Sequence, residues 1–219
     1  MYFVNREEAG NMLAKKMSLY QKQPSAIIAL SDGAVLVAAP IARVLDCPIM
    51  MLMTEPIKAP GEPDAVASIN QEGTYATNPR YSTGEIEEFD MEYRQTFEQE
   101  KMEKLAYMHR MLGQKGVIRH ELLRNRNIIL VSDGLESGFL LDSAALYLKT
   151  IKINKIIVAT PLASVPAVDR MHILADDLFC LSVVSNYMTT NHYYEDNMMP
   201  SHETIIATVQ QIVDEWRSR

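Results

Sequence analysis

The chain is poor in several things that would point to particular functions. Only two of its 219 residues are cysteine, Cys47 and Cys180, each inside an apolar stretch. That usage fits reduced, buried thiols better than a disulfide framework. There is no basic excess either: 21 Lys and Arg stand against 28 Asp and Glu, a formal net charge of -7. Such a balance offers no cationic surface to a nucleic-acid backbone. The apolar runs are far too short to cross a bilayer, so neither nucleic acid nor membrane is expected as a partner. The opening Met1-Tyr2-Phe3-Val4-Asn5-Arg6-Glu7 lacks the basic start and apolar core of a secretory leader, which leaves the cytoplasm as the expected compartment. His109, His120, His172, His192 and His202 are scattered, with no His-x-x-x-His or Cys-x-x-Cys spacing, and no structural metal site is expected. Internal repeats, low-complexity tracts and linkers are lacking too, so residues 1–219 are expected to form one domain with an elaboration.

What the chain does have is a series of short apolar runs alternating with helical patterns. Ala9, Met12, Leu13, Met17 and Tyr20 recur at helical spacing behind Asn5, a suitable N-cap. Ala26 to Leu30 reads as a buried strand, Ala34 to Leu45 as an apolar helix and Pro48 to Met53 as a second strand. Later come a strand at Ile156 to Thr160 ended by Pro161, a helix at Val165 to Leu174, a strand at Leu178 to Val184 and a C-terminal helix opened by Ser201-His202-Glu203. Strand-helix-strand steps of this length predict an α/β fold, a doubly wound and mostly parallel sheet of about five strands. The middle of the chain breaks this rhythm. Pro56, Pro60, Gly61 and Pro63 interrupt regular structure, and Val66–Ile69 with Gly73–Ala76 suggest a small hairpin. A charge-dense stretch from Gly84 to Leu112 then predicts one long helix. Residues 54–116 are therefore expected to form a hood or flap outside the sheet.

The organising stretch is Asn127 to Thr150. Ile128-Ile129-Leu130-Val131 reads as a strand, Ser132-Asp133-Gly134-Leu135-Glu136-Ser137-Gly138 as a turn, and the segment from Phe139 as a helix. That geometry aims backbone N–H groups and a helix N-terminus over the carboxyl end of the strand, where α/β proteins hold phosphates. Asp176-Asp177 sits just before a strand and reads as a solvated turn. The loop Asn191 to Asp196 follows the last strand and reads either as a surface loop or as a segment reaching the site.

In order along the chain, Phe3 with Asn5-Arg6-Glu7-Glu8-Ala9-Gly10, the Ala26–Leu45 unit, Lys58-Ala59-Pro60-Gly61-Glu62-Pro63-Asp64, Val131 to Gly138 and Tyr193-Tyr194-Glu195-Asp196 resemble the type I phosphoribosyltransferases, in particular a bacterial branch of them. The resemblance covers nearly the whole chain. It implies a phosphoribosyl pyrophosphate loop at Ser132, Asp133, Gly134, Leu135, Glu136, Ser137 and Gly138, with Asp133 as the catalytic carboxylate on the ribose. It also implies a pyrophosphate-contacting turn at Ser31-Asp32-Gly33, a hood cation at Lys58, and magnesium on the pyrophosphate if the protein is active.

The departures from that family fall on the same positions. Its motif carries two adjacent carboxylates, acceptors for the ribose hydroxyls; here the pair is Ser132-Asp133. Its phosphate cradle offers small hydroxyl side chains where this chain has Leu140, and Glu136 adds a negative charge. Like charges about 5 Å apart cost about 3 kcal/mol at an effective dielectric near 20. Its Arg-Gly-Gly turn is Ser31-Asp32-Gly33 here, without the planar guanidinium, and the Arg-Lys pair of its hood is replaced by Glu55-Pro56. Loss of positive charge at three loops predicts a family member with a degenerate site, binding a nucleotide, a sugar phosphate or a protein partner with weak or no transferase activity. The alternatives are an active transferase, with Ser137 and Gly138 on the 5′-phosphate, and a structural subunit of an assembly, a homo-oligomer among the candidates.

Overall fold

The computed structural model describes residues 2–113 and 118–218. Five of the short apolar runs form one sheet: β1 (Ser25–Ala29), β2 (Ile49–Met51), β6 (Asn127–Val131), β7 (Lys155–Ser164) and β8 (Asp177–Val184). They lie in the order β2-β1-β6-β7-β8, every neighbouring pair parallel, with Ile27 opposite both Ile49 and Ile129. β1 and β6 occupy the interior of the sheet and are buried at every residue. Strand periodicity then sorts their side chains between two cores. Ile27, Ala29, Ile129 and Val131 face α1 (Arg6–Lys16), α2 (Asp32–Leu45) and α7 (His202–Arg217). Ala26, Ile28, Ile128 and Leu130 face α5 (Phe139–Leu148) and α6 (Val165–Leu174). Helices on both faces are what nearly continuous apolar strands require, and the doubly wound expectation is met.

Most of the helices start where a side chain can take up an orphan N–H. Asn5 accepts from Glu8 N–H, Ser31 from Ala34, Ser164 from Ala167 and Ser201 from Thr204. α5 lacks such a cap: Gly138 precedes it, and Phe139 N–H reaches Ser137 Oγ only at 3.5 Å.

The middle of the chain forms a separate antiparallel sheet of β3 (Thr54–Ile57), β4 (Ala67–Asn70) and β5 (Tyr75–Thr77), followed by α3 (Thr83–Glu92) and α4 (Arg94–Leu112). The expected hairpin is thus joined by a third strand, and the far edge of the hood, near residue 116, lies outside the described residues. The expected single long helix is corrected to two, divided at Tyr93, whose backbone (φ -111, ψ 18) is not helical. The break lets both helices direct rings into one small core, Phe89 and Tyr93 beside Phe97, Ile57, Ile69 and Met108. A second correction concerns Pro161, which does not end β7. The strand continues to Ser164 because its far end stays paired with β8, Leu162 to Ser164 opposite Ser182 to Val184, and on its other side with Leu135, through Leu135 N–H to Leu162 O (3.0 Å) and Ser164 N–H to Leu135 O (2.8 Å).

Asp176 and Asp177 are more engaged than a solvated turn requires. Asp176 accepts from Ile156 N–H at 2.8 Å, and Asp177 accepts from the Tyr20 hydroxyl and from Lys155. The Tyr20 hydrogen bond, then the one from Lys155, holds the Asp177 carboxyl below its ordinary range. A depressed folded value contributes stability that is present above the unfolded pKa and is lost as pH falls through the folded one. Tyr20→Phe is therefore expected to flatten the loss of stability between the ordinary aspartate range and more acid pH. Denaturant unfolding over an acid pH series checks this, and an unchanged slope would refute it; the side chain's exposure keeps the effect small.

Candidate functional site

The loop after β6 divides into two halves with different surroundings. Its first half is built into the body. Ser132 is buried, and its hydroxyl donates to Gly134 O at 2.9 Å. Leu135 is buried and bridges to β7. Gly134 is confined: a Cβ there would lie 2.4 Å from the Tyr187 hydroxyl. The second half, Glu136-Ser137-Gly138, lines a cleft of about 340 Å³ facing the hood.

Asp133 is the centre of the buried half. Its Oδ2 accepts from Arg6 Nε at 2.8 Å, and its Oδ1 accepts from Ser31 Oγ at 3.0 Å. Arg6 is itself 4% exposed, and each of its three guanidinium nitrogens is hydrogen-bonded. It also donates to Asn191 Oδ1 (2.6 Å) and Asn197 Oδ1 (3.2 Å), and its guanidinium lies 4.5 Å from the centre of the Tyr194 ring. The Tyr194 hydroxyl donates to the Asp133 carbonyl at 2.6 Å, and burial, followed by the Asp133 charge, pushes its pKa well up, so it stays a donor. The loop Asn191 to Asp196, which the sequence left as either surface or site, thus closes over Arg6 and pairs with the N-terminus through Phe3 N–H to Tyr193 O (2.9 Å).

The Ser31-Asp32-Gly33 turn is filled by the same cluster. Ser31 caps α2 in extended backbone (φ -161) while donating to Asp133. Asp32 accepts from His202 Nδ1 at 2.9 Å. A Cβ on Gly33 would meet Asp133 Oδ2 at 2.1 Å and Arg6 Nε at 2.8 Å. This glycine leaves room for an internal ion pair. Lys58, the expected hood cation, turns toward Pro63 O (3.5 Å) and does not line the cleft.

Cations reach the cleft from two positions the sequence reading overlooked. Arg80 on the hood pairs with Asp64, Nη1 to Oδ2 at 2.7 Å. Arg170 on α6 pairs with Asp142 in the first turn of α5, Nε to Oδ1 at 2.7 Å, and packs its stem on Gly138. Nothing in the sequence marks these arginines, since Arg80 meets its carboxylate only in the folded hood and Arg170 only where α6 packs on α5. Phe139 and Pro166 add apolar wall.

Magnesium with a pyrophosphate asks for oxygen ligands and nearby carboxylates free to take part. The one carboxylate of the 132–133 pair is occupied on both oxygens by Arg6 and Ser31, and among the described residues no three His, Cys, Asp or Glu side chains converge as a metal site. The Ser132-Asp133 pair therefore offers that group no unengaged carboxylate, and Glu136 is the cleft carboxylate left without a side-chain partner among the described residues. Among the described residues no helix is long and apolar enough to cross a membrane. Burial pushes the Cys47 thiol up to about 12 and Cys180 in the same direction, so neither is an activated nucleophile.

Residues 5–196 match the phosphoribosyl transferase domain family. Two curated proteins of Mycobacterium tuberculosis, from strains CDC 1551 and H37Rv and each named "putative phosphoribosyl transferase", are 22% identical over 207 residues. The match takes in 94% of this chain but only 46% of either relative, so the chain spans less than half their length. Among solved structures, TT1426 from Thermus thermophilus superposes with a TM-score of 0.76 at 23% identity, covering 96% of this chain and 99% of that one. A hypothetical protein from Neisseria gonorrhoeae with bound ppGpp gives 0.51 at 12% identity, covering 98% and 96%. At these identities the structural likeness is one of fold.

Proposed function

Because this chain belongs to the phosphoribosyl transferase domain family, fold and family are fixed while activity is not, and we propose that it keeps the family's scaffold without carrying out phosphoribosyl transfer. The observation that carries this reading is the Asp133 carboxylate, bound on one oxygen by Arg6 and on the other by Ser31. A ribose hydroxyl approaching it would meet a nearly buried carboxylate whose charge is already answered by one charge-assisted and one neutral hydrogen bond, and could use only the remaining lone pairs. Ser132 brings no second carboxylate, and its hydroxyl proton is given to Gly134 O.

Charge argues the same way. Departure of pyrophosphate leaves negative charge that positive groups must meet in the transition state. The Ser31-Asp32-Gly33 turn supplies a carboxylate and a hydroxyl already in use, and Lys58 lies outside the cleft. What remains is a hooded cleft suited to holding a small ligand, its loop a scaffold without the reactive side chains.

The test is pyrophosphate release. Incubation of the full chain with phosphoribosyl pyrophosphate, magnesium and each common nucleobase is expected to give no pyrophosphate above a protein-free control, and calorimetry with millimolar phosphoribosyl pyrophosphate is expected to show no saturable heat. Base-dependent release of pyrophosphate at a steady rate would overturn the reading.

A further inference from the structure

We propose that the cleft between the hood and α5 takes a neutral polyhydroxylated ligand, an unphosphorylated sugar or nucleoside, in preference to the corresponding phosphate ester. The proposal rests on the loss of transfer argued above and adds the class of ligand that the altered cleft accepts. Its basis is the charge lining the cleft. Two arginines, Arg80 and Arg170, face three carboxylates, Asp64, Asp142 and Glu136.

The pairing matters more than the count. Arg170 is held by the mostly buried Asp142, while Arg80 pairs with Asp64 at the exposed rim in a weaker, solvent-screened contact, so both guanidinium groups already have a counter-ion. Glu136 is exposed, and its carboxylate has no hydrogen-bonded or ion-paired partner among the described residues; only its backbone carbonyl is bound, by Ser164 Oγ at 2.6 Å. An incoming phosphate dianion would meet that unpaired charge at the loop where it must dock. The half charge at the α5 N-terminus offsets part of the repulsion, not all of it.

Arg170 can lend a spare N–H to a ligand but cannot easily leave Asp142 to neutralise a phosphate. Asp142 is 11% exposed at its side chain, and its Oδ2 is buried with no hydrogen-bond partner. Drawing Arg170 away would leave that carboxylate buried without a counter-ion, the costly half of breaking a buried pair. A hydroxyl group asks for no such exchange. It can donate to Glu136 and accept from an arginine N–H that keeps its carboxylate, because a guanidinium has five donors and its partner uses few of them. Phe139, Pro79 and Pro166 supply apolar wall for the C–H face of a sugar ring or the plane of a base.

The experiment compares matched pairs on the full chain at low salt: adenosine against adenosine 5′-monophosphate, and ribose against ribose 5-phosphate, by calorimetry and saturation-transfer NMR. The unphosphorylated member is expected to bind more tightly, by about tenfold or more, the equivalent of one like-charge contact in a wet cleft. Glu136→Gln removes the exposed charge at no risk to folding and is expected to bring the phosphorylated member closer by several-fold in the affinity ratio. Tighter binding of the phosphate ester, equal binding within a pair, or no binding of either adenosine or ribose would overturn the proposal. If the phosphate ester wins and no pyrophosphate is released from phosphoribosyl pyrophosphate, this inference falls and the loss of transfer stands; pyrophosphate release would strike at the earlier reading instead.

Discussion

Arg6→Met is expected to lower the free energy of unfolding by about 3–5 kcal/mol, the cost typical of removing one partner from a buried ion pair. Methionine roughly keeps the length and apolar stem of the side chain, so the loss reports on the guanidinium. That group serves Asp133, Asn191 and Asn197 and stacks on Tyr194, and its removal strands the Asp133 carboxylate with only Ser31 as donor. Asp133→Asn alone is expected to be costly as well, because it leaves Arg6 charged and buried. The double variant Arg6→Met with Asp133→Asn is expected to lose less than the sum of the two, since neither charge is then left unpaired. Denaturant unfolding of the four proteins measures the coupling. Additive losses, or an Arg6→Met cost below about 1 kcal/mol, would mean the pair does not hold the loop.

Much of the fold could be read from the chain because the information is local. Ile27 and Ala29 against Ile28 announce two buried faces, and strands buried on both faces belong in a parallel sheet covered by helices. Asn5, Ser31 and Ser201 mark helix starts by the residue type that can accept an N–H. The errors came where a tertiary partner overrides local pattern. Pro161 looks like a strand end until β8 on one side and Leu135, from a distant loop, on the other pair with the residues beyond it. Tyr93 carries no breaking signal of its own; the division there follows from the need to bring Phe89 and Phe97 into the same core.

The candidate site was legible as a backbone and not as a set of contacts. A strand, a small-residue turn and a helix at 127–150 could be placed from the sequence, along with the missing second carboxylate at Ser132. That Asp133 would be consumed by Arg6 could not be read, because the partners are 127 residues apart and an arginine beside an N-cap ordinarily points to solvent. The pairings of Arg170 with Asp142 and Arg80 with Asp64 were equally silent. Three pairings made by the fold, Asp133 with Arg6, Asp142 with Arg170 and Asp64 with Arg80, thus decide which charges around the cleft are answered, while the Glu136 carboxylate has no side-chain partner among the described residues.

Gly10→Ala tests how that internal pairing is held in place, and it is expected to destabilise the protein by about 1–3 kcal/mol even though alanine is the better helix former by about 1 kcal/mol. The sign follows from the spacing of α1 against α2. A Cβ at Gly10 would stand 2.3 Å from the Val37 carbonyl oxygen and 2.6 Å from Pro40 Cγ, and a backbone oxygen in the middle of a helix cannot yield as a flexible side chain would. α1 must move away from α2 instead. Arg6 lies four residues before Gly10, one turn along the same face, so the movement withdraws the guanidinium from Asp133 and the Ser31 turn. Part of the cost should therefore be the loss of the Arg6 pair. In an Arg6→Met background that part is already gone, and Gly10→Ala should cost measurably less. Denaturant unfolding in both backgrounds decides the matter: a stabilising Gly10→Ala would show that the helices can part freely, and an equal cost in both backgrounds would show that α1 holds Arg6 in place by some route other than its close seat on α2.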